Sequence, residues 1–184
     1  MKLSLKIISL ALLSGGCLYH FQENETHHYH LYIDPGFTDD QRGMIIEAAK
    51  DWQEKMGNYL TFDVNAWSAD DPDTISIYPT TKIELSKTEG VLGETWNEGI
   101  NSKIEIATDI NNFQQTARHE FGHALSANHI GPGNIMCAND GCASKDITCN
   151  DVKEVCSHWN TFSCRAETMP ACMSKFTKTN IRRE

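Results

Sequence analysis

Three histidines and one glutamate stand out by type and spacing: His119-Glu120-Phe121-Gly122-His123, with His129 ten residues after His119. Residues four apart on an α-helix share a face, so His119 and His123 can bind one ion, and Glu120 beside the first can reach a metal-bound water. A catalytic zinc takes three protein ligands and keeps one position open; His129 supplies the third if the helix stops and the chain turns back. In a chain of this composition a chance HExxH arises in about 2% of cases, and one with a further histidine at this spacing in about 0.1%. The bland alternative, solvent-facing histidines on an amphipathic helix, is disfavoured accordingly. Such a set supports hydrolysis: zinc lowers the pKa of its water towards neutrality, and Glu120 takes the proton as that water attacks a polarised carbonyl.

These side chains require a helix of limited length and a frame to hold it. A helix is expected from about Asn111 to Ala127. Upstream, His28 to Asp34 alternates, with Tyr29, Leu31 and Ile33 on one side, and reads as a strand ended by Pro35-Gly36. Thr38 opens a helix with Gln41 as its capping-box partner and Asp39 and Asp40 in the first turn. Ile45, Ala49, Trp52 and Met56 follow at helical spacing until Gly57-Asn58. Leu60 to Asn65, Thr74 to Tyr78, Glu89 to Trp96 and Lys103 to Ala107 read as strands, with Asn97 to Ser102 joining the last two. The order strand, helix, four strands, helix, cysteine-rich region gives an α+β fold with no internal repeat, and Trp52 and Trp159 are expected in its core.

At this point the chain resembles the metzincin zinc peptidases, whose long motif HExxHxxGxxH precedes a methionine turn. Here it reads HEFGHALSANH, then IGPGNIM, which places Met136 seven residues after His129. The likeness extends over most of residues 28–159 and is nearest to the matrixin branch. EGVLGETW is similar to the edge strand above the cleft in that branch, and Asp151-Val152 to the start of its C-terminal helix. The resemblance implies a metzincin-like catalytic domain: a twisted mixed β-sheet, an active-site helix, a Met-turn and a C-terminal helix. It makes His119, His123 and His129 the zinc ligands, Glu120 the general base and Met136 the floor beneath the metal. It also implies a peptide substrate lying extended along Gly90, Val91, Leu92, Gly93 and Glu94 by main-chain pairing. Three departures stand out. Ser126 occupies the usual glycine position, so the turn towards the third ligand is expected to differ in shape. Ile130 replaces a serine or threonine, and Cys137-Ala138-Asn139 lacks the proline and tyrosine of the matrixin primed-side pocket.

Weaker motifs carry alternatives. A gluzincin arrangement would use Glu154 in place of His129 but leaves His129 and Met136 unexplained. Asp70, Asp71 and Asp73 offer a calcium site against the commoner reading of acidic turn residues. His27, His28 and His30 read as a polar tether and strand start rather than a second metal site.

Residues 1–16 carry Lys2 and Lys6, an apolar run from Ile7 to Leu13 too short to span a bilayer, and small residues before Cys17. This resembles a bacterial lipoprotein signal with Cys17 acylated; ordinary signal-peptide cleavage in the same stretch is the rival. Either implies export, to the cell envelope or the extracellular space. Cys137, Cys142, Cys149, Cys156, Cys164 and Cys172 contain no CxxC pair, so in an exported chain they read as three disulfides with 15 pairings open. Cys149 and Cys156 on one helix are about 10 Å apart, too far to pair with each other. The layout is then signal 1–16, tether 17–27, catalytic domain 28–159 and a cross-linked extension 160–184. The formal charge of -9, or -11 once Lys2 and Lys6 are removed, argues against nucleic-acid binding. The resemblance implies protein or peptide substrates as partners, and the expected protein is a monomer whose contact with a membrane is through the lipid. The competing class is a non-catalytic exported surface lipoprotein with a structural zinc site for partner binding. Glu120 favours the enzyme, because a structural site has no use for an unliganded carboxylate beside the metal.

Overall fold

The first strand of the described residues carries His27, His28 and His30 and is paired on both sides in the sheet. In the computed structural model, which describes residues 26–64, 68–71, 73–85, 91–98, 101–138 and 144–159, this strand is β1 (His27–Ile33). It starts one residue earlier than expected, with Leu31 and Ile33 buried. Helix α1 (Asp39–Met56) begins at the Thr38 capping box: the Thr38 hydroxyl accepts from Gln41 N–H, and the Gln41 side chain accepts from Thr38 N–H. Ile45, Ala49, Trp52 and Met56 are all buried on its inner face, each large apolar side chain contributing about 1.5–3 kcal/mol. A single 3-10 turn (Gly57–Tyr59) leads into β2 (Leu60–Asp63).

β3 (Thr74–Thr80), a four-residue helix α2 (Lys82–Leu85) that the sequence pattern did not signal, β4 (Gly93–Glu98) and β5 (Asn101–Ala107) complete the sheet. Its order is β2-β1-β3-β5-β4. All neighbours are parallel except β4, which runs antiparallel to β5 at the edge. Several strand boundaries differ from the sequence pattern. β4 starts at Gly93 rather than Glu89, and both β4 and β5 extend into the stretch expected as a loop, because their ladder continues to Glu98↔Asn101. Val91 and Leu92 therefore precede the strand, though Leu92 O still accepts from Ala107 N–H.

One face of the sheet, through Leu31, Ile33, Ile75, Ile77, Ile104 and Ile106, meets the apolar sides of α1 and of α3 (Phe113–Ala124). α3 is shorter than expected at both ends. It is fastened to α1 by polar contacts as well as packing: Arg118 pairs with Asp51 at 2.6–2.7 Å, and Trp52 Nε1 donates to Arg118 O at 2.8 Å. Trp159, which follows α4 (Cys149–His158), packs partly buried on the core and stacks on His27. The result is an α+β architecture with a mixed five-stranded sheet, as the element order suggested.

The proposed signal, Cys17, the tether up to residue 25, Gly90, Cys142, Cys164, Cys172 and the extension from residue 160 lie outside the described residues. Cys137, Cys149 and Cys156 are each disulfide-bonded. Among the described residues no helix is long and apolar enough to cross a membrane.

Candidate metal centre

Helix α3 delivers the first two histidines one turn apart, and its C-terminus decides where the third goes. Leu125 ends the helix, and Ser126 takes a left-handed conformation with φ of 74°. Ser126 N–H donates to His123 O at 2.8 Å and Ala127 N–H to Gly122 O at 2.9 Å, the paired bonds of a Schellman motif. The turn at Ser126 is of the left-handed kind that glycine adopts freely. Serine adopts the positive φ that glycine holds more cheaply, at a cost of about 1 kcal/mol.

Past that turn the chain brings His129 back to His119 and His123. The three Nε2 atoms lie 3.1, 3.1 and 3.2 Å from one another. The remaining nitrogens of the helical pair are fixed by main-chain carbonyls: His119 Nδ1 donates to Ile135 O and His123 Nδ1 to Ala127 O, both at 2.8 Å. With the proton on Nδ1, each neutral ring turns its Nε2 lone pair towards the cluster. Lone pairs gathered at this spacing repel unless a cation sits between them. A tetrahedral zinc with Zn–N bonds of about 2.0–2.1 Å holds its ligand nitrogens about 3.3–3.4 Å apart, so the donor set fits zinc. Burial, reinforced by His119, pushes the His123 pKa down to about 4, which also favours the neutral, ligating form.

Glu120 lies on the sheet side of the same turn and is 4% exposed. Thr95 Oγ1 donates to its Oε2 at 2.6 Å. Burial raises its pKa to about 7; the Thr95 hydrogen bond opposes the rise and Glu94 adds to it. Gly93 is required by close approach, since a Cβ there would stand 2.7–2.9 Å from Cγ, Cδ and Oε1 of Glu120. Gly122 is constrained in the same way. A Cβ at that position would meet Met136 Sδ, so the buried thioether packs directly against α3 between the two helical histidines.

The loop carrying Ile135 and Met136 is held from below by Asp151, which is fully buried. Its carboxylate accepts from Met136 N–H at 3.0 Å, Ile135 N–H at 3.2 Å, Thr148 N–H at 2.7 Å and Thr148 Oγ1 at 2.6 Å. Ile130 N–H donates to Met136 O at 2.8 Å and closes the loop at its other end. A cleft of about 520 Å³ runs over the cluster, between Leu92 to Thr95 on one side and Asn128, Ala138 and His158 on another.

The structure thus brings together His119, His123, His129 and Glu120, with Val91, Leu92, Gly93 and Glu94 along the cleft and Met136 buried beside it. It does not bring Glu154 there. That carboxylate accepts from Asn128 Nδ2 at 3.3 Å and lies 3.0 Å from His158 Nε2, so the gluzincin alternative is set aside. Among the described residues, the three histidines are the one group of His, Cys, Asp or Glu whose ligand atoms cluster closely enough to share an ion. The calcium alternative at Asp70, Asp71 and Asp73 finds no support on this ground. Asp70 N–H caps on Ser68, and Asp73 turns the chain at φ of 60° so that its carbonyl accepts from His30 N–H. His27 stacks on Trp159, His28 Nδ1 lies 2.7 Å from Thr61 Oγ1 and His30 Nδ1 3.8 Å from Asp63, with the His28 and His30 rings edge-on at 5.0 Å. The sequence reading missed Thr95 and the supporting role of Asp151. The alternation of Gly93 and Thr95 on one strand face was the available signal for Thr95.

No protein-family profile and no curated protein matches the sequence. Among solved structures the chain is similar to High choriolytic enzyme 1, a hatching enzyme zinc-protease from Oryzias latipes (medaka fish), at 17% identity and a TM-score of 0.43. The match covers 66% of this chain and 55% of the other, so the chain spans about half of that protein's length.

Proposed function

We propose that this chain is a zinc-dependent endopeptidase of the metzincin type. The observation that carries the reading is the convergence of three Nε2 atoms within 3.1–3.2 Å, beside a buried glutamate, at the base of an open cleft. When bound by His119, His123 and His129, zinc supplies Lewis acidity that polarises the scissile carbonyl and acidifies water. Ile135 O and Ala127 O hold two of the imidazoles in the ligating tautomer. Glu120 takes a proton from the attacking water and returns it to the leaving amine; a carboxyl raised towards neutrality is suited to both transfers. β4 is an edge strand, and the main-chain groups on its outer side offer pairing to an extended peptide lying along this segment. The matrixin likeness rests on the sequence motifs. Export, acylation of Cys17 and the division into tether, catalytic domain and extension belong to the same proposal. Intact-mass measurement of the mature protein, starting at an acylated Cys17, tests that part.

The test of activity is cleavage of casein or a quenched peptide pool by oxidised, zinc-loaded protein, with and without chelator. Chelator-sensitive cleavage is expected, and Glu120→Ala should retain zinc while losing hydrolysis. Cleavage that survives in Glu120→Ala, or is absent from the zinc-loaded wild type, overturns the proposal.

A further inference from the structure

Strand β4 faces helix α3 with alternate residues, and the two that point at Glu120 are Gly93 and Thr95. They do different things to the same carboxylate. Gly93 has no side chain, so Oε1 and Cδ of Glu120 rest against its backbone, where a Cβ would stand 2.8 and 2.9 Å away. Thr95 offers its hydroxyl to Oε2 at 2.6 Å, a short charge-assisted contact, with Glu120 O a longer neighbour at 3.2 Å. The register that aims them is set by pairing to β5, Gly93 opposite Ile106 and Thr95 opposite Ile104, both buried.

We propose that Thr95 is a positioning residue for the general base, its hydroxyl holding one oxygen of Glu120 so that proton exchange falls to the other. This deepens the peptidase reading and rests on it. Oε2 is committed as an acceptor from Thr95, which leaves Oε1, the oxygen beside Gly93, to receive the proton and release it. The carboxylate is buried, so a lost partner is not replaced freely by water, and a free χ rotation spreads the base over orientations of which few are productive. Because Thr95 lies on the strand offered to an extended peptide, the same element aligns substrate and base.

The experiment compares Thr95→Val, which keeps shape and removes the hydroxyl, with Thr95→Ser, which restores it. In oxidised, zinc-loaded protein, Thr95→Val is expected to lower kcat roughly 10- to 100-fold with KM within about twofold, and Thr95→Ser to recover most of the loss. Zinc content should be unchanged in both. A second readout is free of activity. In chelated protein, Thr95→Val should lower Tm by roughly 3–6 °C in the wild-type background and by less than about 1 °C beside Glu120→Ala, because the penalty is an unsatisfied buried carboxylate. Unchanged kcat in Thr95→Val, an equal loss in Thr95→Ser, or zinc loss in either overturns the positioning role while leaving the peptidase reading intact. An inert wild type overturns the peptidase reading and the catalytic role of Thr95 together; the Tm cycle then still reports whether the hydroxyl and the carboxylate are coupled.

Discussion

Asp151→Ala removes a carboxylate that no ligand touches, and it should nonetheless loosen the metal centre. Asp151 accepts four hydrogen bonds, two from the loop amides of Ile135 and Met136 and two from Thr148, where α4 begins. Leaving the two loop amides without an acceptor in a buried site costs about 1–3 kcal/mol each. Losing the capping box at Thr148 costs about 1 kcal/mol more, and the better helix propensity of alanine returns about 0.5 kcal/mol. Allowing for water entering the small cavity, the net is about 3–5 kcal/mol, or a Tm lowered by roughly 8–15 °C in a chain of this size. The loop also carries Ile135 O, which fixes the tautomer of His119, so zinc affinity should fall roughly 10- to 100-fold. Circular-dichroism melts of chelated protein read the first effect, and competition with a chromophoric chelator reads the second. Asp151→Asn keeps one acceptor but aims an NH2 at N–H donors, so it should recover part of the Tm at most. A Tm drop below about 3 °C with zinc affinity unchanged would refute the idea that this carboxylate holds the loop.

Three other outcomes follow from the geometry. Ser126→Gly removes a left-handed serine and should raise Tm by about 1–3 °C, less than the full φ penalty because glycine is also freer in the unfolded chain; a melt of the chelated protein decides it. Gly93→Ala places a methyl 2.7–2.9 Å from the Glu120 side chain, so kcat should fall at least roughly 10-fold while zinc content by atomic absorption stays at one per chain. His129→Ala should lose zinc on dialysis and Glu154→Ala should keep it, since Glu154 is engaged with Asn128 and His158 away from the cluster.

What was legible in the sequence is what short-range periodicity encodes. The i, i+4 histidines, the Thr38–Gln41 box and the apolar stripe from Ile45 to Met56 are helical facts, set by residues within a turn or two of each other, and they stand in the structure as read. Less legible was anything that depends on which strands become neighbours. Thr95 meets Glu120 only because β4 is the antiparallel edge beside β5, a pairing that no local pattern fixes. Asp151 read correctly as the start of a helix, yet two of its four acceptor contacts reach back 15 and 16 residues to the Met136 loop. The three aspartates of the 70–73 turn show the converse: proximity in sequence does not aim carboxylates at a common point, and here Ser68 and His30 engage the main chain.

The Schellman turn shows why the third histidine of the cluster cannot be separated from the second. One left-handed residue, Ser126, both ends α3 and reverses the chain, and the carbonyl of the next residue, Ala127, then accepts from His123 Nδ1. The geometry that sends the chain to His129 is therefore the geometry that sets the tautomer of His123. On the other side, the loop closed by Ile130 and Met136 supplies the carbonyl for His119 and the thioether that packs where Gly122 leaves room. Each helical ligand is thus oriented by backbone from a segment that lies beyond the HExxH sequence. A helix transplanted with its two histidines alone would present freely rotating imidazoles, and its zinc affinity would be correspondingly poor. The long spacing of the motif is a structural necessity as well as a ligand count: residues 124–136 must turn twice to return one side chain and two carbonyls to the same point.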